Sequence, residues 1–212
     1  PRGPQPNEER LLELATQLAA LALERWQESE ALRHRAFHDP LTGLPNRLLF
    51  LDRLEHALAR ADRDSGGLAV LFLDLDDFKR VNDTWGHAVG DAVLQEVAAR
   101  LSQQVRAGDT VARFAGDEFT VLLEGVTGED DVRAVTERLL AALEPPIDCG
   151  EHEVRIGLSI GAAIATERPL PDSGTLLLSA DQALYAAKRR GKGCCEIAIV
   201  PPGSSQAERR SS

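Results

Sequence analysis

Apolar residues recur along this chain in two rhythms, a helical one near its start and an alternation of short strands with helices afterwards. Leu11, Leu14, Leu18 and Leu21 keep a three-to-four-residue spacing, with Leu12, Ala15, Ala19, Ala22 and Trp26 beside them. Arg25 and Glu28 interrupt this seam before Leu32 resumes it. The pattern predicts an amphipathic helix over residues 7–37. Asn7 is its expected N-cap, and Glu8 and Glu9 lie in its first turn, where acids suit the helix dipole. Such a helix has more apolar surface than it can leave in water. It either packs on its own domain or pairs as a parallel coiled coil with a second copy, and the coiled coil is favoured.

Beyond Asp39-Pro40 the pattern changes. Pro45 suits the first turn of a second helix reaching about Ala61, with Leu48, Leu51, Leu54 and Leu58 on its buried side. The run Leu68-Ala-Val-Leu-Phe-Leu-Asp74 reads as a buried central strand with carboxylates at its carboxyl end. A polar loop over Asp76–Asp91 and a helix from Asp91 to Val105 are expected next. Asp109–Ala112 and Thr120–Leu123 flank the tight turn Ala115-Gly-Asp117 and predict a β-hairpin. A helix over Glu129–Leu143, a strand over Val154–Ala165, a helix capped by Ser173 or Thr175 and reaching Arg190, and a strand over Cys195–Val200 complete the series. The core order βαββαβ is that of an α+β, ferredoxin-like palm with added helices. The expected organisation is a disordered lead (1–6), a signalling or coiled-coil helix (7–37), one catalytic domain (38–200) and a disordered tail (201–212).

Of the 212 residues 43% are hydrophobic, enough for one sizeable α/β core. The net charge of −10, with basic residues dispersed, argues against a nucleic-acid groove. Cys149, Cys194 and Cys195 have no metal-ligand spacing and leave an odd thiol, which suits a reducing, cytoplasmic setting. No apolar run is long enough to span a membrane. With no Met anywhere, the chain reads as a segment of a longer protein.

The candidate chemistry is acidic. Asp74 ends the central strand, and Asp117 and Glu118 leave the hairpin turn. Adjacent strand residues point to opposite faces, so only one of that pair can face a given site. If the strands are neighbours, two carboxylates about 5 Å apart repel by roughly 3 kcal/mol at an effective dielectric near 20. A bound cation removes that cost, and Mg²⁺, which takes carboxylates and phosphate while keeping waters, fits best. A calcium loop is excluded because Phe78 and Lys79 stand where an oxygen ligand and a glycine are needed.

Five separated motifs, Asp39-Pro-Leu-Thr-Gly-Leu-Pro-Asn-Arg47, Leu73-Asp-Leu-Asp-Asp-Phe-Lys-Arg-Val-Asn-Asp83, Gly86-His-Ala-Val-Gly-Asp91, Arg113-Phe-Ala-Gly-Asp-Glu-Phe119 and Ala180-Asp-Gln-Ala-Leu-Tyr-Ala-Ala-Lys188, together resemble the GGDEF family of diguanylate cyclases. The resemblance covers about Phe37 to Val200. It implies Mg-dependent joining of two GTP into cyclic di-GMP by a homodimer assembled through the N-terminal helix, under an upstream sensor. Mn²⁺ is the alternative ion. By the same resemblance Asp74, the main-chain carbonyl of Leu75 and Asp117 are metal ligands. Asp117 also helps deprotonate the attacking hydroxyl, and Glu118 belongs to the catalytic signature. Asn82 and Asp91 recognise guanine, and His87 lies near the ribose or base. Phe78 and Lys79 line the triphosphate loop, and Lys188 and Lys192 hold outer phosphates. Arg106-Ala-Gly-Asp109 resembles the family's inhibitory product site.

Two positions depart from the family pattern: Ala115 replaces a Gly, and Lys192-Gly193 stands where Arg-Asn is usual. The rival readings are a degenerate domain that binds GTP or cyclic di-GMP and signals without catalysis, a different palm-type nucleotidyl enzyme, and an oligomerisation unit. The retained Asp74, Asp117, Glu118, Asn82, Asp91 and Lys188 favour the cyclase.

Overall fold

The computed structural model describes residues 18–25, 35–64 and 66–203. Residues 18–25 and 35–37 are helical. Leu18, Leu21 and Leu23 are exposed on the first of these stretches. The remainder of the predicted 7–37 helix lies outside the described residues, as do residues 1–6 and most of the predicted tail. A compact unit begins at Asp39.

Within that unit the elements are α1 (Arg47–Asp64), β1 (Gly67–Asp76), α2 (Phe78–Trp85), α3 (His87–Gln103), β2 (Thr110–Ala115), β3 (Glu118–Val126), α4 (Glu129–Leu143), β4 (Ile147–Asp148), β5 (Glu153–Val154), β6 (Gly157–Ala165), α5 (Ser173–Arg189) and β7 (Cys195–Ile199). Five strands form one sheet in the order β2-β3-β1-β6-β7, antiparallel except for the β6–β7 pair. The first four make the ferredoxin-like arrangement that the sequence predicts, and β7 extends it by one parallel edge strand.

Strand β1 is buried on both faces, which explains its unbroken apolar run. Ala69, Leu71, Leu73 and Leu75 pack with residues of α2, α3 and α4 on one side. Leu68, Val70 and Phe72 pack with residues of α1 and α5 on the other. The alternation continues to the strand end, so Asp74 and Asp76 belong to the α5 side.

Several expectations are corrected. The stretch after Asp76 is a two-turn helix, not a polar loop. Phe78 and Val81 bury one side of α2, and the surrounding Lys79, Arg80, Asn82 and Asp83 hide that periodicity in the sequence. Helix α3 therefore starts at His87 rather than Asp91. On α1 the buried residues are Phe50, Leu54, Ala57 and Leu58, whereas Leu48 is exposed. The strand expected from Val154 is divided, because Val154 pairs with Ile147 in a separate hairpin and β6 begins at Gly157. The cap of α5 is Asp172, whose carboxylate accepts from the Thr175 N–H at 2.8 Å.

Candidate active site

The site forms where β1 ends between β3 and β6. Asp74 stands opposite Glu118 on β3 and Ser159 on β6. Residues directly opposite in an antiparallel pair share a face, so Asp74 and Glu118 project to the same side of the sheet. The helix on that side, α5, supplies a cation there: Lys188 Nζ lies 2.7 Å from Asp74 Oδ2. Burial raises the Glu118 carboxyl above its ordinary value, the charges of Asp74 and Asp117 raise it further, and Lys188 opposes them. Two facing carboxylates, one of them paired with the Lys188 ammonium, form a site that favours additional positive charge.

Asp117 goes the other way. Its main-chain carbonyl accepts from the Leu75 N–H at 3.4 Å, which ties the hairpin turn to the end of β1. The residue itself lines a cleft of about 360 Å³ on the α2–α3 side, together with Phe78, Lys79, Asn82, His87 and Asp91. The structure thus divides the predicted residues between two sides of one sheet edge. Asp74, Glu118 and Lys188 lie on the α5 side, and Asp117 with the five α2–α3 residues lies on the other. Lys192 lines neither. It borders a second cleft of about 500 Å³ with Asp76, Asp77, Arg80 and Arg155, and its Nζ lies 2.7 Å from Asp77 Oδ1.

The cleft walls depend on small residues. A Cβ added at Gly90 would fall 2.0 Å from Asn82 Oδ1, so glycine on α3 makes room for the Asn82 amide on α2. In the hairpin turn Gly116 alone takes a positive φ, 50°. Ala115 is an exposed residue of β2 that pairs with Glu118 and has no left-handed backbone. Its methyl group is therefore compatible with the turn that carries Asp117.

A positioning network between residues far apart in sequence borders the cleft, which Arg113 and Gly116 line. Arg113 donates through Nε to the Gly116 carbonyl at 2.9 Å and through Nη1 to Asp39 at 3.0 and 3.2 Å. Asp39 also accepts from the Thr42 N–H and hydroxyl. Burial works against the Asp39 carboxylate, but the Thr42 hydrogen bonds and Arg113 outweigh it and hold the group below its ordinary value. The only sequence signal was that Asp39 and Arg113 belong to the quoted motifs; their separation of 74 residues hides the contact.

Arg106 and Asp109 lie away from both clefts. The Asp109 carboxylate accepts from the Arg106 N–H at 3.0 Å and the Glu124 N–H at 3.3 Å, so it organises its own turn. The Arg106 residue is exposed.

For a metal, the donor chemistry fits a hard divalent ion: carboxylates of Asp74 and of the hairpin, with the Leu75 carbonyl. Among the described residues no three His, Cys, Asp or Glu side chains converge as a ready-made cage. Remaining ligands would come from water and phosphate, the pattern Mg²⁺ prefers. No helix among the described residues is long and apolar enough to cross a membrane.

Comparison with known proteins gives the family. The profile of the family described as "Diguanylate cyclase, GGDEF domain" matches residues 36–194. The chain is 44% identical over 189 residues to the bifunctional diguanylate cyclase/cyclic di-GMP phosphodiesterase MucR of Pseudomonas aeruginosa, covering 87% of this chain and 26% of that protein. A solved structure of TpbB (YfiN) from Pseudomonas aeruginosa, comprising only the GGDEF domain, superposes with a TM-score of 0.72 at 41% identity, covering 76% of this chain and 94% of that one. The coiled coil and GGDEF domain of DgcB from Caulobacter crescentus, solved with c-di-GMP, gives 0.77 at 29% identity, covering 89% and 99%. The chain spans only 26% to 42% of the length of the curated relatives it matches first.

Proposed function

The chain belongs to the GGDEF diguanylate cyclase domain family, and on that premise we propose that it condenses two GTP into cyclic di-GMP and two pyrophosphates, acting as a pair of copies under an upstream sensor. The observation that carries this reading is the split site: a cleft bearing Asn82 and Asp91 opens beside the Asp74–Glu118–Lys188 cluster, with Asp117 at the cleft edge.

Each residue has a role that its chemistry supports. The Asp91 carboxylate accepts from the guanine N1 and N2 hydrogens, and the Asn82 amide satisfies the remaining edge. Adenine would leave both mispaired, which gives strong discrimination. His87 borders the ribose or base, and Phe78 and Lys79 border the triphosphate. Lys188 and Lys192 neutralise outer phosphates as point charges. On the family's pattern Asp74, the Leu75 carbonyl and Asp117 would hold Mg²⁺, or Mn²⁺ in its place, at the end of β1, where the Leu75–Asp117 main-chain contact joins the two sides, and Glu118 stands ready for a second ion. The ion, when bound, lowers the pKa of the attacking 3′-hydroxyl and offsets charge on the α-phosphate. Asp117 accepts the hydroxyl proton, and in-line attack on the α-phosphate of the second GTP expels pyrophosphate.

One cleft holds one GTP, so two copies must face each other. Pairing through the N-terminal helix would raise the effective concentration of the second half-site, to about the millimolar range. Product inhibition is read at Arg106, whose guanidinium suits a guanine edge or a phosphate, with Asp109 shaping its turn.

The test is incubation of the chain with GTP and Mg²⁺ over a protein-concentration series, with nucleotides separated by chromatography. Cyclic di-GMP formed at a rate steeper than linear in protein is the expected result. Binding of GTP without product at any concentration would overturn catalysis in favour of a receptor role.

A further inference from the structure

We propose that Asp77 sets the affinity of the site for the outer phosphates of its nucleotide, by competing with them for Lys192, while Asp76 anchors the turn from which Lys192 reaches. The proposal deepens the reading of the cleft as a GTP site and rests on it.

Three observations carry it. First, Asp77 and Lys192 are the two non-glycine residues with positive φ among the described residues, at 58° and 65°. They are partners: Lys192 Nζ lies 2.7 Å from Asp77 Oδ1, although 115 positions separate them. Aspartate tolerates the left-handed region, Lys192 takes it in the turn that closes α5, where its N–H donates to the Ala187 carbonyl at 3.3 Å, and residues held there collect at functional sites.

Second, the neighbouring carboxylate fixes the backbone on which this contact is made. Asp76 Oδ2 accepts from the Gly193 N–H at 3.0 Å, and Oδ1 accepts from the Ser159 hydroxyl at 2.7 Å. Ser159 is fully buried. Gly157 leaves the space: a Cβ there would fall 2.8 Å from Asp76 Oδ2. The turn Gly191-Lys192-Gly193 is therefore pinned to the end of β1 through its main chain, independently of where the Lys192 ammonium points.

Third, the Asp77–Lys192 pair is solvent-accessible, with side chains 54% and 42% exposed. Exposed pairs are weak, and a polyphosphate carries more charge than one carboxylate. The ammonium can change partner by side-chain rotation alone, with the pinned backbone unmoved. Asp77 thereby lowers affinity for a triphosphate and leaves a monophosphate, which lacks the outer phosphates, unaffected.

The experiment compares GMP with α,β-methylene-GTP, which cannot lose pyrophosphate by α–β cleavage, by calorimetric titration in Mg²⁺. Asp77→Asn keeps a residue that accepts the left-handed backbone and removes the charge. It should bind the analogue about two- to fivefold more tightly than the parent chain, with GMP unchanged. The gain should vanish when Lys192→Met is also present. Asp76→Ala should act in the opposite direction on the analogue alone. An Asp77→Asn variant whose analogue-to-GMP ratio equals that of the parent chain overturns the competition. A parent chain that binds neither nucleotide overturns the GTP-site reading, and the competition falls with it.

Discussion

Lys188 reaches from the last turn of α5 to within 2.7 Å of the Asp74 carboxylate at the end of β1, directly across from Glu118. The contact joins two elements on the same face of the sheet and places one ammonium where two carboxylates would otherwise repel. Its functional consequence is testable. Replacing Lys188 with Met keeps the aliphatic stem and deletes the charge. Loss of one preorganised charge donor costs on the order of 10²-fold in turnover, so cyclic di-GMP formation should fall by about that factor. GMP binding in the α2–α3 cleft should stay unchanged, because Lys188 does not line it. Steady-state rates and calorimetry together check both halves.

Gly90 and Asn82 make a second prediction. Because a Cβ at position 90 would sit 2.0 Å from Asn82 Oδ1, Gly90→Ala should force the amide out of place. Overpacking of this kind costs about 1–3 kcal/mol of stability, and a lost hydrogen bond to the base costs about 1 kcal/mol, or roughly fivefold in GTP affinity. The double variant Gly90→Ala/Asn82→Ala should recover most of the stability and none of the affinity, which denaturant melts and GTP titration would read separately.

The pH dependence follows from two carboxyls shifted in opposite directions. Asp39 is held below its ordinary value of 3.8. A depressed carboxyl contributes stability that is present above the unfolded value and lost as pH falls through the folded one. Asp39→Asn should therefore be less stable than the parent chain by about 2 kcal/mol near neutrality, and the gap should close below the 3.8 reference. Glu118 is raised above 4.5. Its contribution is present below that value and lost as pH rises through the raised one, so Glu118→Gln should be the more stable protein at neutral pH. Thermal melts from pH 3 to 8 would show crossing trends, and parallel curves would contradict the electrostatic account.

How much of this was legible in the chain depends on the range of the interactions involved. The carboxylates of Asp74 and Glu118 were visible because a both-faces-buried strand and a tight turn leave strong local patterns. That a hairpin acid meets Asp74 followed from the βαββαβ order, which puts β1 beside β3; which of the adjacent Asp117 and Glu118 faces it is set by the strand register, which pairs Asp74 with Glu118. Helix α2 was not visible. Its eight residues bury only Phe78 and Val81, and its N-cap, Asp77, makes no side-chain capping bond. Leu48 was misassigned because leucine spacing alone does not say which edge of α1 faces the sheet; Phe50 takes the buried place. The Arg113–Asp39 and Lys192–Asp77 pairs span 74 and 115 positions, and only the folded chain brings them together.

Ala115 is the departure from the family pattern within the acidic hairpin. A glycine there would be needed if the position required the left-handed backbone, but positive φ in the turn falls on Gly116, at 50°. Ala115 pairs with Glu118 as an exposed strand residue next to a register irregularity between Arg113 and Ala115. Its methyl group therefore projects where neither the turn nor the β2–β3 ladder is obstructed. Restoring glycine should gain nothing in the folded geometry and should lose backbone entropy. Ala115→Gly is expected to turn over GTP within about twofold of the parent chain and to be about 0.5–1 kcal/mol less stable. Parallel measurement of cyclic di-GMP formation and urea unfolding decides the point. A large rise in activity on the change to glycine would mean that the alanine methyl obstructs the approach of the nucleotide, and that the hairpin rather than α5 limits catalysis.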